Sequence, residues 1–164
     1  MSELLDAIDQ NLLAVLQENS DLTAIQLSEI LKAQGLHLGP AATRNRVADL
    51  KARGFIKKFS AVLDPDKFDL SHMFFVLVEL GAERTDNSER VFLNKVQSLP
   101  EVLEIHEVFG EFDFLLKMRV HHLSDALSLS RELAPLVKTI RTFPVALSHK
   151  DTAVLPLALM KDTR

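Results

Sequence analysis

Apolar residues near the start of the chain recur at the three- and four-residue spacing of amphipathic helices. In the first stretch they form a single stripe: Leu5, Ile8, Leu12, Leu13 and Leu16. Thr23 followed by Gln26 fits a capping box, so a second helix is expected to begin there and to end at Gly35. The pattern therefore predicts two helices joined by a short turn.

A third helix is predicted from the N-cap Gly39 and first-turn Pro40 to Gly54. Its expected buried face is Thr43, Val47 and Leu50. The opposite face holds Ala41, Asn45 and Ala48, flanked by Arg44 and Lys51. Small residues with an amide and a guanidinium suit a helix that enters the major groove of DNA and reads base edges. This helix is therefore a candidate recognition helix.

The residues after Gly54, "FIKKFSAVL", are predicted to form a short strand or wing, with Lys57 and Lys58 placed to meet phosphates. Three short helices, the third of them basic and followed by a basic strand, are typical of a winged helix-turn-helix. The N-terminal third therefore predicts a DNA-binding domain.

The character of the chain changes after the polar link "DPDKFDLS". From His72 the pattern is strand, helix, strand, strand, helix, strand, which predicts a ferredoxin-like βαββαβ domain of the RAM/ACT-like type. The fold class is therefore α+β. Pro144 lies in the last strand and favours an edge position for it. The expected division is a winged helix-turn-helix at 1–63, a hinge at 64–71, the βαββαβ domain at 72–150 and a C-terminal tail at 151–164.

Both faces of this predicted sheet are apolar. One carries Phe74, Val76, Val78, Leu116 and Met118; the other carries Met73, Phe75, Leu77 and Leu115. Since the helices of a two-layer domain cover only one face, a second subunit is expected to bury the other.

Charge is distributed unevenly along the 164 residues, whose net charge is -4. Residues 1–31 hold six acidic residues and no Lys or Arg, whereas residues 32–60 hold seven basic residues against Asp49. A charge run taken alone favours a solvated helix face. Because the run coincides with the candidate recognition helix, binding to the phosphate backbone becomes the better interpretation.

Several classes of chemistry find no support in the residues. The chain has no Cys, which excludes disulfides and thiolate zinc sites and favours a reducing cytoplasm. Its six His residues show no metal-ligand spacing. No phosphate-binding loop, nucleophile elbow or carboxylate pair stands out, and no apolar run approaches the length of a membrane span. We therefore expect no enzyme activity, cofactor, metal or membrane association, and a cytoplasmic location.

The order of these segments resembles the Lrp/AsnC family, the feast/famine transcription regulators. The segments that carry the resemblance are "LLDAIDQNLLAVLQENSDLTAIQLSEIL", "GPAATRNRVADLKARGFIKKFSAVLDPDKFDL", "VFGEFDFLLKMRV" and "RTFPVALSHKDTAVLPL". The chain departs from the family in a longer turn before the third helix, in Gly39 where an N-capping Ser is usual, and in Leu136 where Gly is preferred.

The resemblance implies a transcription regulator that binds double-stranded DNA and a small effector, commonly an amino acid, and that forms homodimers assembling to octamers. Combined with the pattern above, it gives this DNA-binding set: Ala41, Ala42, Thr43, Arg44, Asn45, Arg46, Lys51, Lys57 and Lys58. It places the effector, between subunits, near Gly110, Phe112, Asp113 and Thr142. The Gly110 to Asp113 segment also has a simpler interpretation as a hairpin turn.

Two other functions remain open at this stage. One is a tetrapyrrole decarboxylase, because the sirohaem decarboxylases resemble the same two-part architecture. The other is an effector-binding partner protein that does not bind DNA. The basic side chains of the third helix favour the regulator over both.

Overall fold

The described part of the chain, residues 5–81 and 85–157 of the computed structural model, folds around two separate hydrophobic cores. Of these residues, 5–62 together with 151–157 form one compact unit, and 63–81 with 85–150 form the other. Residues 158–164 of the predicted tail lie outside the described residues. Each unit is described separately below.

The first unit contains three helices, α1 (Ala7–Glu18), α2 (Ala24–Ala33) and α3 (Pro40–Ala52). Their facing sides bury a leucine core: Leu12, Leu13, Leu16, Leu27, Leu31 and Leu50. This core explains why short helices are stable here, since tertiary packing of an apolar face contributes more than helix propensity. The predicted helix-turn-helix arrangement is confirmed.

The ends of these helices follow the predicted signals. Thr23 and Gln26 form both halves of the capping box at the start of α2. Gly39 is the N-cap of α3 and Pro40 its first residue. Gly35 and Gly54 have φ angles of +81° and +80°, which glycine adopts without steric penalty. The chain therefore leaves α2 and α3 through left-handed turns.

The segment after Gly54 differs from the prediction in its secondary structure. Residues 56–64 form no strand within the described part of the chain. A strand needs a hydrogen-bonded neighbour, and no other segment of the described chain pairs with this one. Residues 56–64 are therefore an irregular segment that still carries Lys57 and Lys58.

The end of the chain contributes to the first unit. The Gln17 side chain donates to the Leu155 carbonyl at 3.2 Å and accepts from the Leu155 N–H at 2.7 Å. Leu157 packs against the leucine core. Residues 151–157 are thus part of the helical unit although they are far from it in sequence.

The second unit is a four-stranded antiparallel sheet with the order β2-β3-β1-β4. In chain order its elements are β1 (His72–Glu79), α4 (Asp86–Gln97), β2 (Val102–Glu107), β3 (Phe114–Val120), α5 (Leu123–Leu133) and β4 (Thr139–Pro144). The βαββαβ prediction is confirmed, and β4 with Pro144 is an edge strand as expected.

The two helices cover one face of the sheet. On that face the central strands bury Phe74, Val76, Val78, Phe114, Leu116, Met118 and Val120, against Phe92, Val96, Ala126, Leu129 and Leu133 of the helices. The opposite face shows Phe75 next to Phe143 and Leu77 next to Leu115. Phe75 is 36% exposed and Phe143 47%. Within the single chain this second face remains partly open, as the alternation predicted.

An ion pair joins α1 to α3 at the start of α1. Asp6, the N-cap of α1, accepts from the backbone N–H of Asp9 at 2.8 Å and from Arg46 at 2.6 Å. Partial burial alone would raise the pKa of the Asp6 carboxyl. The hydrogen bonds from Asp9 and Arg46 outweigh burial and hold that pKa below its ordinary 3.8.

Replacing Asp6 with Asn should lower stability at neutral pH and weaken its dependence on acid. A carboxyl whose pKa is depressed by folding stabilises the fold above its unfolded pKa, and this contribution is lost as pH falls through the folded value. The wild type should therefore lose stability below about pH 3.8 more steeply than Asp6→Asn. Urea unfolding followed by circular dichroism from pH 7 to pH 2 measures this.

Asp21→Asn is the matched control, because Asp21 is exposed and its side chain makes no ion pair within the described residues. If Asp6→Asn and Asp21→Asn have the same acid dependence, the Asp6 carboxylate does not stabilise the fold in this way.

Candidate nucleic-acid interface and effector site

The outward face of α3 presents the expected combination of small, amide and basic side chains. Ala41, Ala42, Arg44, Asn45, Ala48 and Lys51 are all exposed. Arg44 and Asn45 form no ion pair or side-chain hydrogen bond within the described residues. Small side chains beside a free guanidinium and a free amide are the combination expected of a helix that reads base edges.

Aromatic contacts organise the basic residues beside this face. The Lys51 ammonium lies 4.2 Å from the centre of the Phe59 ring, and the Arg53 guanidinium lies 4.9 Å from that of Phe55. Cation–π contacts of this kind hold a long side chain in place. Lys57 and Lys58 are exposed on the segment between the two rings. Lys51, Lys57 and Lys58 are therefore exposed basic side chains close together in sequence on and after α3.

Two residues of the predicted DNA-binding set face the protein instead. Thr43 is completely buried, and its hydroxyl donates to the Gly39 carbonyl at 3.1 Å. Arg46 donates to Asp6 at 2.6 Å and to Asp9 at 2.7 Å. Burial removes Thr43 from the interface, and the two carboxylates already neutralise Arg46. Thr43 is therefore corrected to a structural role, whereas Arg46 is engaged by carboxylates while its side chain stays 34% exposed.

The sequence analysis missed Asp9, although its position gives a signal. Asp9 falls within the apolar stripe of α1, four residues after Leu5 and three before Leu12, and it is only 6% exposed. An acid on the buried face of a helix requires a partner. The arginines of the basic segment, among them Arg46, were the candidate partners.

In the second unit, the β2–β3 hairpin contains Gly110 and Asp113. Gly110 has a φ angle of +134°, a conformation that L side chains rarely adopt. One Asp113 carboxylate oxygen accepts from the Leu80 N–H at 2.7 Å, and the Asp113 N–H donates to the Val78 carbonyl at 2.9 Å. Asp113 thus fastens the hairpin to the end of β1, which agrees with the hairpin-turn interpretation.

Phe112 and Thr142 lie on different sides of the sheet. The Phe112 ring lies 5.1 Å from the Arg141 guanidinium, and Arg141 approaches Glu111 at 3.4 Å. The Thr142 hydroxyl is 3.1 Å from that of Ser130 on α5, which places it on the helix side. Adjacent residues of a strand point to opposite faces, so Arg141 lies on the side opposite Thr142. Phe112 therefore belongs with Arg141, a residue that the sequence analysis missed.

A second carboxylate lies at the end of β1 near this group. Glu79 accepts from Lys138 at 2.6 Å and from the Thr139 hydroxyl at 2.7 Å. The hydrogen bond from Lys138, followed by that from Thr139, lowers the pKa of Glu79. Within the described residues, this end of the sheet therefore combines paired charges with the partly exposed Phe112 ring.

Residues 5–81 and 85–157 contain no cluster of His, Cys, Asp or Glu able to hold a metal ion. The same residues include no helix that is both long and apolar enough to cross a bilayer.

Proteins of known identity match this chain over most of its length. A family model described as the Lrp/AsnC ligand binding domain matches residues 73–155. The leucine-responsive regulatory protein of Escherichia coli is 36% identical over 144 residues, which cover 86% of this chain and 84% of the relative. The HTH-type transcriptional regulator FL11 of Pyrococcus horikoshii is 30% identical, with 93% of this chain and 97% of the relative covered.

Solved structures agree with these sequence relationships. A transcriptional regulator of Neisseria meningitidis, determined as a complex with L-Met, is 29% identical with a TM-score of 0.83, covering 94% of this chain and 97% of the other. An AsnC family regulator of Agrobacterium tumefaciens shares the fold at a TM-score of 0.85 and 24% identity, over 96% and 100% of the two chains. The chain belongs to the Lrp/AsnC family of transcriptional regulators.

Proposed function

We propose that the protein regulates transcription in the cytoplasm by binding specific DNA sequences through α3, under the control of an amino-acid effector, and that it acts by binding without catalysis. The observation that carries this proposal is the outward face of α3. Arg44 and Asn45 have no partner side chain among the described residues, although the chain as a whole is acidic.

Different side chains of this interface have different tasks. Arg44 and Asn45 read base edges, because a guanidinium and an amide each match the hydrogen-bonding pattern of particular bases in the major groove. Lys57 and Lys58 contact phosphates, which position the protein but carry no sequence information. The exposed Ala41 and Ala42 let the N-terminal end of α3 approach the DNA backbone closely.

The effector site is proposed at the end of the sheet that holds Phe112 and Arg141. The Arg141 guanidinium is suited to bind a carboxylate group, Glu111 an ammonium group, and the Phe112 ring offers an apolar surface. A free amino acid presents these three chemical groups together. The L-Met complex of the Neisseria meningitidis relative supports this class of effector.

The partly open sheet face supports a homodimer. Phe75, Leu77, Leu115 and Phe143 lie next to one another there, and a second copy of the same face would bury them. A two-fold dimer presents two α3 helices to half-sites about one helical turn, roughly 34 Å, apart or a multiple of that distance. Further assembly to octamers is part of the same proposal.

Substitutions on α3 and on residues 56–64 should have different effects on DNA binding. Arg44→Ala or Asn45→Ala should weaken binding to the preferred DNA sequence by about 1–3 kcal/mol and relax the base preference of the protein. Lys57→Ala or Lys58→Ala should weaken binding to all DNA sequences alike. The slope of log affinity against log salt concentration should fall by about one. Fluorescence anisotropy of a labelled duplex from upstream of the protein's own gene, against a scrambled duplex at two salt concentrations, measures both quantities.

Arg131→Ala is the control for charge, since Arg131 is exposed on α5 and has no ion pair within the described residues. It should leave the base preference unchanged. Identical behaviour of the four interface variants would contradict the division into base readers and phosphate anchors.

Removal of the Arg141 charge should weaken effector binding. We expect Arg141→Met to raise the Kd for L-Met at least about tenfold, because the effector carboxylate loses its charged partner. Isothermal titration of wild type and variant with a panel of amino acids, L-Met included, measures the loss. Arg131→Met is the control, and equal affinities of Arg141→Met and wild type would place the effector elsewhere.

A charge on the open sheet face should prevent dimer formation. Phe75→Glu buries a carboxylate if the two faces pack together, so the variant should sediment as a monomer where the wild type does not. Analytical ultracentrifugation compares it with Val62→Glu, a control at an almost fully exposed position. A Phe75→Glu variant that sediments like the wild type would show that copies associate through another surface.

A further inference from the structure

Asp9 is a buried carboxylate in a helix whose other buried residues are leucines. It is 6% exposed, whereas Leu12, Leu13 and Leu16 beside it form the core. Burying a charge is unfavourable unless it is paired and hydrogen-bonded, and a buried pair is often no more stabilising than apolar residues of the same size. Packing alone therefore does not account for an acid at this position.

Both oxygens of Asp9 are directed to α3. One accepts from Arg46 at 2.7 Å, and the other lies 3.8 Å from Arg53. Arg46 and Arg53, the C-cap of α3, are seven residues apart, which is close to two turns, so they lie on the same side at the middle and the end of the helix. One carboxylate is thus connected to α3 at two points along its axis.

Neighbouring acids complete this cluster. Asp6 also binds Arg46, at 2.6 Å, and Asp49 binds Arg53 at 3.0 Å. We call Asp6, Asp9, Arg46, Asp49 and Arg53 the Asp9 cluster. Within the cluster the arginines are shared between carboxylates, which leaves them less free to contact phosphates.

Directional bonds and apolar contacts restrain a helix differently. The leucines that hold α1 against α3 resist separation of the helices, but apolar attraction has no preferred direction. Charge-assisted hydrogen bonds fix distance and angle. The Asp9 cluster is therefore suited to set the rotation and the axial position of α3, and both determine where Arg44 and Asn45 point.

We propose that Asp9 is a positioning residue for base recognition. It acts through Arg46 and Arg53 to hold α3 at the rotation that aims Arg44 and Asn45 at base edges, without itself touching DNA. This inference rests on the proposed function, since it concerns how the same helix obtains its sequence preference.

The test compares binding to the preferred and scrambled duplexes for wild type, Asp9→Asn, Arg46→Met and the double variant. The isosteric Asp9→Asn should reduce the ratio of specific to non-specific affinity at least about tenfold while the salt slope stays unchanged. Arg46→Met should do the same. The double variant should lose less than the sum of the two single losses, because the two residues share one contact.

Two further variants separate positioning from charge and from stability. Asp21→Asn removes the same negative charge outside the cluster and should leave the ratio unchanged. Arg46→Lys keeps the positive charge but loses the planar fork, so it should give an intermediate ratio. All proteins are compared at a temperature where circular dichroism shows them folded. If Asp9→Asn does not fold, Arg46→Lys and Arg46→Met carry the test.

Each outcome is decisive. An unchanged ratio in folded Asp9→Asn, or in folded Arg46→Lys and Arg46→Met where Asp9→Asn does not fold, overturns the inference. A salt slope reduced by about one in Arg46→Met also overturns it, because Arg46 would then be a phosphate anchor. A wild type that shows no preference between the duplexes overturns the proposed function itself, and this inference with it.

Discussion

The attraction of Asp9 to Arg46 of α3 and to Arg53, the C-cap of α3, determines which basic side chains of this segment are paired with carboxylates. Arg46 and Arg53 lie within reach of this carboxylate and of its acidic neighbours. Arg44 and Lys51, on the other side of the same helix, have no carboxylate partner within the described residues. The acidic start of the chain thus neutralises the inward side of a basic helix, and the helix presents its positive charge in one direction. This separation of paired from unpaired basic side chains explains how an acidic protein can keep one basic surface.

Much of the fold follows from local signals in the sequence. The capping box at Thr23, the turn at Gly39 and Pro40, and the left-handed exits at Gly35 and Gly54 mark the helices of the first unit. In the second unit, Pro144 in the last strand indicates an edge. These signals are reliable because each depends on a few neighbouring residues. Pairing across the chain has no such signal. A strand was expected after Gly54 and is not formed in residues 56–64, because alternation there says nothing about a partner strand.

The candidate sites were harder to predict for a related reason. Whether a polar residue faces outward depends on contacts with distant parts of the chain, as in the bond from Arg46 to Asp6 forty positions earlier. Thr43 could have been excluded from its position on the buried face of α3, but its polar side chain favoured the interface. Strand alternation likewise places Arg141, and not Thr142, on the side of Phe112. In each case geometry across elements decided the outcome.

The return of the C-terminal segment to the first unit has a consequence for the order in which the protein is completed. Gln17 of α1 is bonded to Leu155, and Leu157 packs on the leucine core. A ribosome releases the three helices long before it has made these residues, and domains generally begin to fold during synthesis. The sheet unit, encoded by the continuous stretch 63–150, is therefore fully synthesised before the last contacts of the helical unit can form. The helical unit is therefore begun first and finished last.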